Sequence, residues 1–231
     1  MTTPGSSELL LMLLADARLP TGAHTQSAGL EQAMREGICI TQVPEYIRAR
    51  LRTVVAAEAG AAVVARHLVQ RTAPDAELTS GLEQVDAAWR ARTISPALRE
   101  NAEILGRGYA RLVTGLWPQA AATRALVGAT RPTRAVALGV AGALAGLSAA
   151  QLARLIGYED TQTVAAAALK LDPPDPLVST GWVVRAQADI ERMVASVSPL
   201  TSIDAIPAVA APLVEQWAQV HAGTGQRLFR A

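Results

Sequence analysis

Residues 16–37 read DARLPTGAHTQSAGLEQAMREG, and no other stretch of the chain is as densely punctuated. Pro20 fixes its own φ and lacks an amide donor, so a helix before it must end, while Gly22 admits a backbone conformation that a side chain would obstruct. Thr25 or Ser27 can then cap a new helix. In that helix Leu30, Ala33 and Met34 share one face at three- and four-residue spacing, and Glu31, Arg35 and Glu36 cover the others. Gly37 stands where a left-handed C-cap belongs. The stretch reads as two helices joined by a tight corner.

Outward from this corner, helical signals run to both ends. Ser6 or Ser7 can cap a first helix reaching about Ala15, and a long third helix is expected from about Val43 to Gln70, ended by Pro74. Ser80 and Glu83 form an S-x-x-E capping box for a helix to about Arg92, and Ser95 with Pro96 at the first helical position opens one reaching about Leu116. Pro118 and Pro132 bracket a short helix. Pro132 then starts a glycine-rich apolar helix in which Gly142 and Gly146 would let a neighbouring backbone approach. Ser148 with Gln151 makes another capping box for a short helix stopping at Gly157, and Asp160 caps Thr161 to Leu171. Helices from about Leu177 to Val197 and Ala208 to His221 follow. No segment alternates long enough to read as a strand.

Composition agrees with an all-α fold. Hydrophobic residues make up 50% of 231, aromatics only 3%, and 47 residues are alanine, so the core must be built from Leu, Val and close-packed Ala helices. A chain of this length buries about 70 to 75% of the surface its unfolded form exposes, so no disulfide or metal staple is required. The expectation is a single-domain compact bundle of about ten helices over residues 1–231. Residues 222–231 would be a flexible tail, because Gly223 and Gly225 should interrupt the last helix.

The same reading excludes several function classes. Basic and acidic residues number 21 and 20 and are spread along the chain, which argues against a nucleic-acid partner. The uncharged run Ala135–Ala150 is short of the roughly 20 residues needed to span a bilayer, so no membrane is expected. The apolar run Leu9–Ala15 has no preceding Lys or Arg and begins beside Glu8, unlike a signal peptide. Cys39 is the only cysteine, consistent with a cytoplasmic protein. His24, His67 and His221 lie in separate segments with no His-x-x-x-His pair, so neither a metal nor a cofactor is expected within one chain. Gly106-Arg107-Gly108 is too short for a dinucleotide fingerprint, no P-loop is present, and no G-x-S-x-G elbow follows a strand. The chain does not read as an enzyme.

Three separated blocks point further. The pattern D-x-x-x-P-x-G-x-x-x-x-S-x-G-L-E, carried by Asp16, Pro20, Gly22, Ser27, Gly29, Leu30 and Glu31, resembles the N-terminal signature of the UreF family of urease accessory proteins. Leu98, Arg99, Glu100, Gly106, Tyr109, Ala110, Arg111 and Leu112 resemble that family's central helix. His221 followed by Arg227, Leu228, Phe229 and Arg230 is similar to its C-terminal His and Arg-Leu-Phe tail. Lys170-Leu171 with Pro173 matches a Lys-Leu-x-Pro segment, after which the family's usual Gly-Gln is replaced by Asp175-Pro176. His24 stands where the family usually carries an aromatic.

The resemblance implies a non-enzymatic, chaperone-like cytoplasmic homodimer. It would help insert nickel into the urease apoenzyme by assembling with UreD (UreH) and modulating the GTPase UreG. Pro20, Gly22, His24, Ser27, Glu31, Lys170, His221, Arg227, Leu228, Phe229 and Arg230 are then the expected partner-binding residues. Lys170 stands out chemically, because it is the only lysine in a chain with twenty arginines and an ammonium is a compact, flexible charge. Phe229 is the only phenylalanine, and as an apolar anchor between polar neighbours it is expected to dock on a UreD-type partner more than on its own domain. The rival reading is a helical enzyme or small-ligand binder with a pocket near Asp16, His24 and Glu31.

Overall fold

The uncharged run after Pro132 becomes the buried axis of the structure. The computed structural model describes residues 4–71, 74–225 and 227–229. Among these it holds eleven α-helices, three short 3-10 turns and no strand. The helices are α1 (Pro4–Leu14), α2 (Leu30–Arg35), α3 (Val43–Arg52), α4 (Val54–Gln70), α5 (Asp75–Ala91), α6 (Pro96–Leu116), α7 (Ala121–Gly128), α8 (Arg134–Leu144), α9 (Ala149–Leu171), α10 (Pro176–Val197) and α11 (Pro212–Ala222). Every residue of α8 from Arg134 to Gly142 is buried. Helix α4, buried from Val55 to Ala57 and from Ala59 to Ala65, lies against α8 most extensively. Helices α6 and α9 close other sides of the α4–α8 pair, α10 packs on α9, and α11 bridges α2 and α6.

Small residues make this packing possible. A Cβ at Gly106 would stand 2.0 Å from the Pro132 carbonyl oxygen, and one at Gly108 would stand 2.5 Å from that of Thr21. The two glycines therefore let α6 touch the entrance of α8 and the N-terminal corner backbone to backbone. In α8 the close approach falls at Gly139, where a Cβ would meet Ala62 O at 2.5 Å. Gly142 instead faces the Leu152 side chain, and Gly146 ends the segment at φ +72°.

Several boundaries differ from the sequence reading. The N-terminal corner holds a 3-10 turn at Ala23–Thr25, and α2 begins only at Leu30. Ala28 (φ 53°) and Gly29 (φ 79°) break the chain between them, Thr25 Oγ1 donates back to Gly22 O at 2.8 Å, and Ser27 Oγ makes no hydrogen bond among the described residues. The long third helix divides at Thr53, whose φ and ψ of −127° and −100° are not helical. Ser80 lies inside α5, which already starts at Asp75 behind Pro74. The Ser95 and Ser148 caps form as read, with Ser95 Oγ accepting from Leu98 N and the Ser148–Gln151 box complete. Helix α9 nevertheless runs through Gly157 to Leu171 as one element. Asp175 caps α10 by accepting from Leu177 N at 2.8 Å, with Pro176 as the first helical residue. The Asp-Pro pair that replaces Gly-Gln thus starts this helix. No helix among the described residues is long and apolar enough to cross a membrane.

Candidate functional site

The N-terminal corner is tied to the middle of α9. Because Ala28 takes a positive φ, its carbonyl points into the fold, where it accepts from Tyr46 Oη at 2.6 Å and Arg50 Nη1 at 2.9 Å. Arg50 also grips Asp160 of α9, with Nη2 to Oδ1 at 2.5 Å and Nε to Oδ2 at 3.0 Å. Burial disfavours the charge on Arg50, but the charge and hydrogen bond of Asp160 together with Tyr46 more than offset it and hold the guanidinium protonated. The corner is thereby tied to α9 through one buried arginine. Asp160, read as a helix cap, is an ion-pair partner inside α9.

Beside it, on the neighbouring residue Glu159, a second buried cluster forms. Arg134, at the start of α8, reaches Glu58 of α4 at 2.7 Å and Glu159 of α9 at 2.8 Å, and Tyr109 of α6 donates to Glu159 Oε1 at 2.9 Å. Burial pushes the Glu159 carboxyl above its usual range, against the pull of Arg134 and Tyr109. It also raises the Tyr109 phenol, with the Glu159 charge adding to the effect. Four helices are fixed to one another here. Glu58 is the only charge between Val54 and Ala65, so an isolated carboxylate in an alanine-rich helix was a legible signal. Arg134, at the edge of the uncharged run, was another.

Between the clusters lies a cavity of about 270 Å³, with Arg50, Asp160, Glu58, Glu159 and Arg134 in its wall. His24, exposed, and Lys170, exposed at the end of α9, also border it, as does Phe229. The three groups of the rival pocket reading do not converge. His24 lines the cavity, whereas Asp16 pairs with exposed Arg18 at 2.6 Å, an interaction that lowers its carboxyl to about 2. Glu31 is buried and turned to the tail. Among the described residues no group of three or more His, Cys, Asp or Glu side chains could hold a metal ion.

Residues 227–229 of the tail lie against the domain. Glu31 accepts from Leu228 N at 2.9 and 3.1 Å and from Phe229 N at 2.9 Å, while Arg35 steadies it at 2.7 Å. His221, fully buried, has Nε2 at 3.0 Å from Phe229 O and so donates to it. Phe229 is 6% exposed, and its ring lies 5.2 Å from Lys170 Nζ. The chain folds back because a buried carboxylate accepts both backbone amides and the α9 ammonium faces the ring. Glu31, Lys170, His221, Leu228 and Phe229 of the expected set are therefore brought together. Pro20, exposed, and Gly22, at φ 87°, shape the corner; Ser27 is buried in it; Arg227 is exposed; and Arg230 lies outside the described residues.

A family model for UreF matches residues 40–187, which include Tyr46, Arg50, Tyr109, Arg134, Glu159, Asp160 and Lys170. The chain belongs to the UreF family. The urease accessory protein UreF of Mycobacterium marinum is 39% identical over 178 residues, covering 74% of this chain and 77% of that relative. The UreF of Mycolicibacterium vanbaalenii is 34% identical over 234 residues, covering 97% and 99%. UreF membership makes this a non-enzymatic urease accessory protein. The corner and the tail lie outside the span matched by the UreF model, so their roles rest on geometry.

Proposed function

We propose that this chain works in the cytoplasm as a homodimeric scaffold in urease maturation, joining UreD (UreH) and the urease apoenzyme and biasing the switch states of the GTPase UreG. Nickel and GTP belong to the partners in this reading. The observation that carries it is the surface around Lys170. An exposed ammonium is set on the Phe229 ring at the rim of the cavity, and beside it in the chain stand Leu228, 63% exposed, and Arg227. An apolar knob flanked by cations suits a protein surface with an apolar pocket and carboxylates. The helices beneath are tied to one another by buried ion pairs. A scaffold of this kind alters a partner's GTP hydrolysis only by binding one of its states better than another. The experiment is co-purification from cells expressing the urease maturation proteins, followed by GTP hydrolysis by UreG with and without the assembled chain. Co-purification with a changed hydrolysis rate supports the proposal, and absence of any complex refutes it.

A further inference from the structure

We infer that the groove between the end of α3, the start of α4 and the C-terminal half of α10 is a binding site for a small aliphatic carboxylate, gripped by Arg52 and Arg192. The break at Thr53 separates this groove from the cavity already described. Arg50 and Val54 face that cavity, whereas Leu51, Arg52 and Ala56 line a second one of about 410 Å³, whose far wall includes Asp189, Arg192 and Met193 of α10. The two share no lining residue, and the size falls in the usual range of small-ligand sites, about 300–1,000 Å³. The buried Asp189 carboxylate is met by three guanidinium groups: Arg192, Arg48 at 3.4 Å and Arg52 at 3.6 Å. Arg48 is also held by Glu45 at 2.5 Å, and Arg185, one turn back on α10, reaches over Gly181 instead. Arg52 and Arg192 stay largely exposed, and each meets Asp189 through Nη2 alone. Among the described contacts their Nε and Nη1 donors have no partner. Asp189 therefore holds two guanidinium groups at the groove with donor edges unused, an arrangement prepared for a carboxylate. Three guanidinium groups against two carboxylates leave one positive charge, which a monocarboxylate neutralises and a phosphate dianion would exceed. Leu51, Ala56 and Met193, all buried, give the groove an apolar floor for a short aliphatic chain behind the head group.

The test is a titration of the full-length chain, labelled with nitrogen-15 arginine, followed through the Nε–H resonances of Arg52 and Arg192, with Arg52→Gln and Arg192→Gln identifying each signal. Butyrate is expected to shift both resonances saturably in the millimolar range, while butyramide, its neutral analogue, leaves them in place. Acetate lacks two methylene groups and should bind roughly tenfold more weakly. Inorganic phosphate should bind more weakly than butyrate. Arg52→Gln and Arg192→Gln should each weaken butyrate roughly tenfold, and Ala56→Leu, which fills the floor and leaves every charge in place, should do the same. The wild-type titrations decide the matter even if a variant fails to fold. No saturable shift with butyrate, or equal affinity for acetate and butyrate, would reduce the cluster to a surface ion network and overturn the inference. A stronger response to phosphate than to butyrate would overturn the carboxylate assignment, and a response to acetyl-glutamate methylamide with none to butyrate would assign the groove to a protein side chain and overturn it as well.

Discussion

Glu31 of α2 accepts the backbone amide of Phe229, 198 residues further along the chain, at 2.9 Å. This bond turns a side chain that reads as a partner anchor into part of the free protein's own wall. Truncating a buried Phe ordinarily costs about 3–5 kcal/mol. Phe229→Ala is expected to cost less, because the ring borders the cavity beside the Lys170 ammonium, where part of its surroundings is open space and not packed side chain. Chemical denaturation of the free protein checks this, and a loss in the full range would place Phe229 in the cooperative core.

Lys170→Ala should barely disturb the fold. An exposed cation–π contact contributes about 1 kcal/mol or less, which for a domain of this size means a melting temperature lower by no more than about 2–4 °C. Urease activation in the reconstituted assembly should nevertheless fall. A large thermal loss with normal activation would make Lys170 a structural residue only.

Gly106 and Gly115, both in α6, should respond in opposite directions to Ala. At Gly106 the added methyl group would strike the Pro132 carbonyl, whereas at Gly115 it meets nothing within 4 Å. Gly106→Ala is expected to destabilise by about 3 kcal/mol or more, since backbone cannot yield as a side-chain tip can. Gly115→Ala should stabilise by about 0.5–1 kcal/mol through helix propensity. Denaturant midpoints at constant m decide both.

The Arg50–Asp160 pair is expected to be strongly coupled. Both side chains are more than nine-tenths buried, so Asp160→Asn or Arg50→Met alone leaves one charge buried without its partner and should cost about 3–5 kcal/mol. The double variant should cost much less than the sum. Additive losses would mean that the pair does not interact as the geometry indicates.

Asp189 of α10 gives a pH signature. It meets Arg48 at 3.4 Å and Arg52 at 3.6 Å, both on α3, and also binds Arg192. Burial alone would raise its carboxyl, but the hydrogen bonds and charges of Arg192 and Arg48 hold it below its ordinary value. A depressed native value means that the stabilisation is complete above the unfolded range near about pH 4 and is lost as pH falls through the native value. Asp189→Asn should therefore melt lower than the wild type at pH 7, and the gap should close as the solution is acidified below about pH 4. A gap independent of pH would contradict the assignment.

What could be read from the sequence was local. Ser95 before Pro96 and Ser148 before Gln151 act on amides three residues away, and both caps form. The expected box at Ser80 did not, because Asp75 behind Pro74 had already started the helix. Gly157 reads as a stop, yet it lies inside α9 where Ile190 and Met193 of α10 press on it. The site was legible as a set of residues and illegible as an arrangement. Glu31, Lys170, His221 and Phe229 could be singled out by type and family pattern, but the fold-back depends on contacts across most of the chain. Arg50, Glu58 and Arg134 were missed as a group for the same reason: their partners are 110, 76 and 25 positions away, at Asp160, Arg134 and Glu159.

The most direct test of the account is urease activity in cells that express the apoenzyme and the other maturation proteins, with nickel supplied, in the presence and absence of this chain. The expected result is active, nickel-loaded urease only when the chain is present, together with no GTP hydrolysis by the purified chain alone. Equal urease activity and nickel content without it would contradict the proposed role in urease maturation.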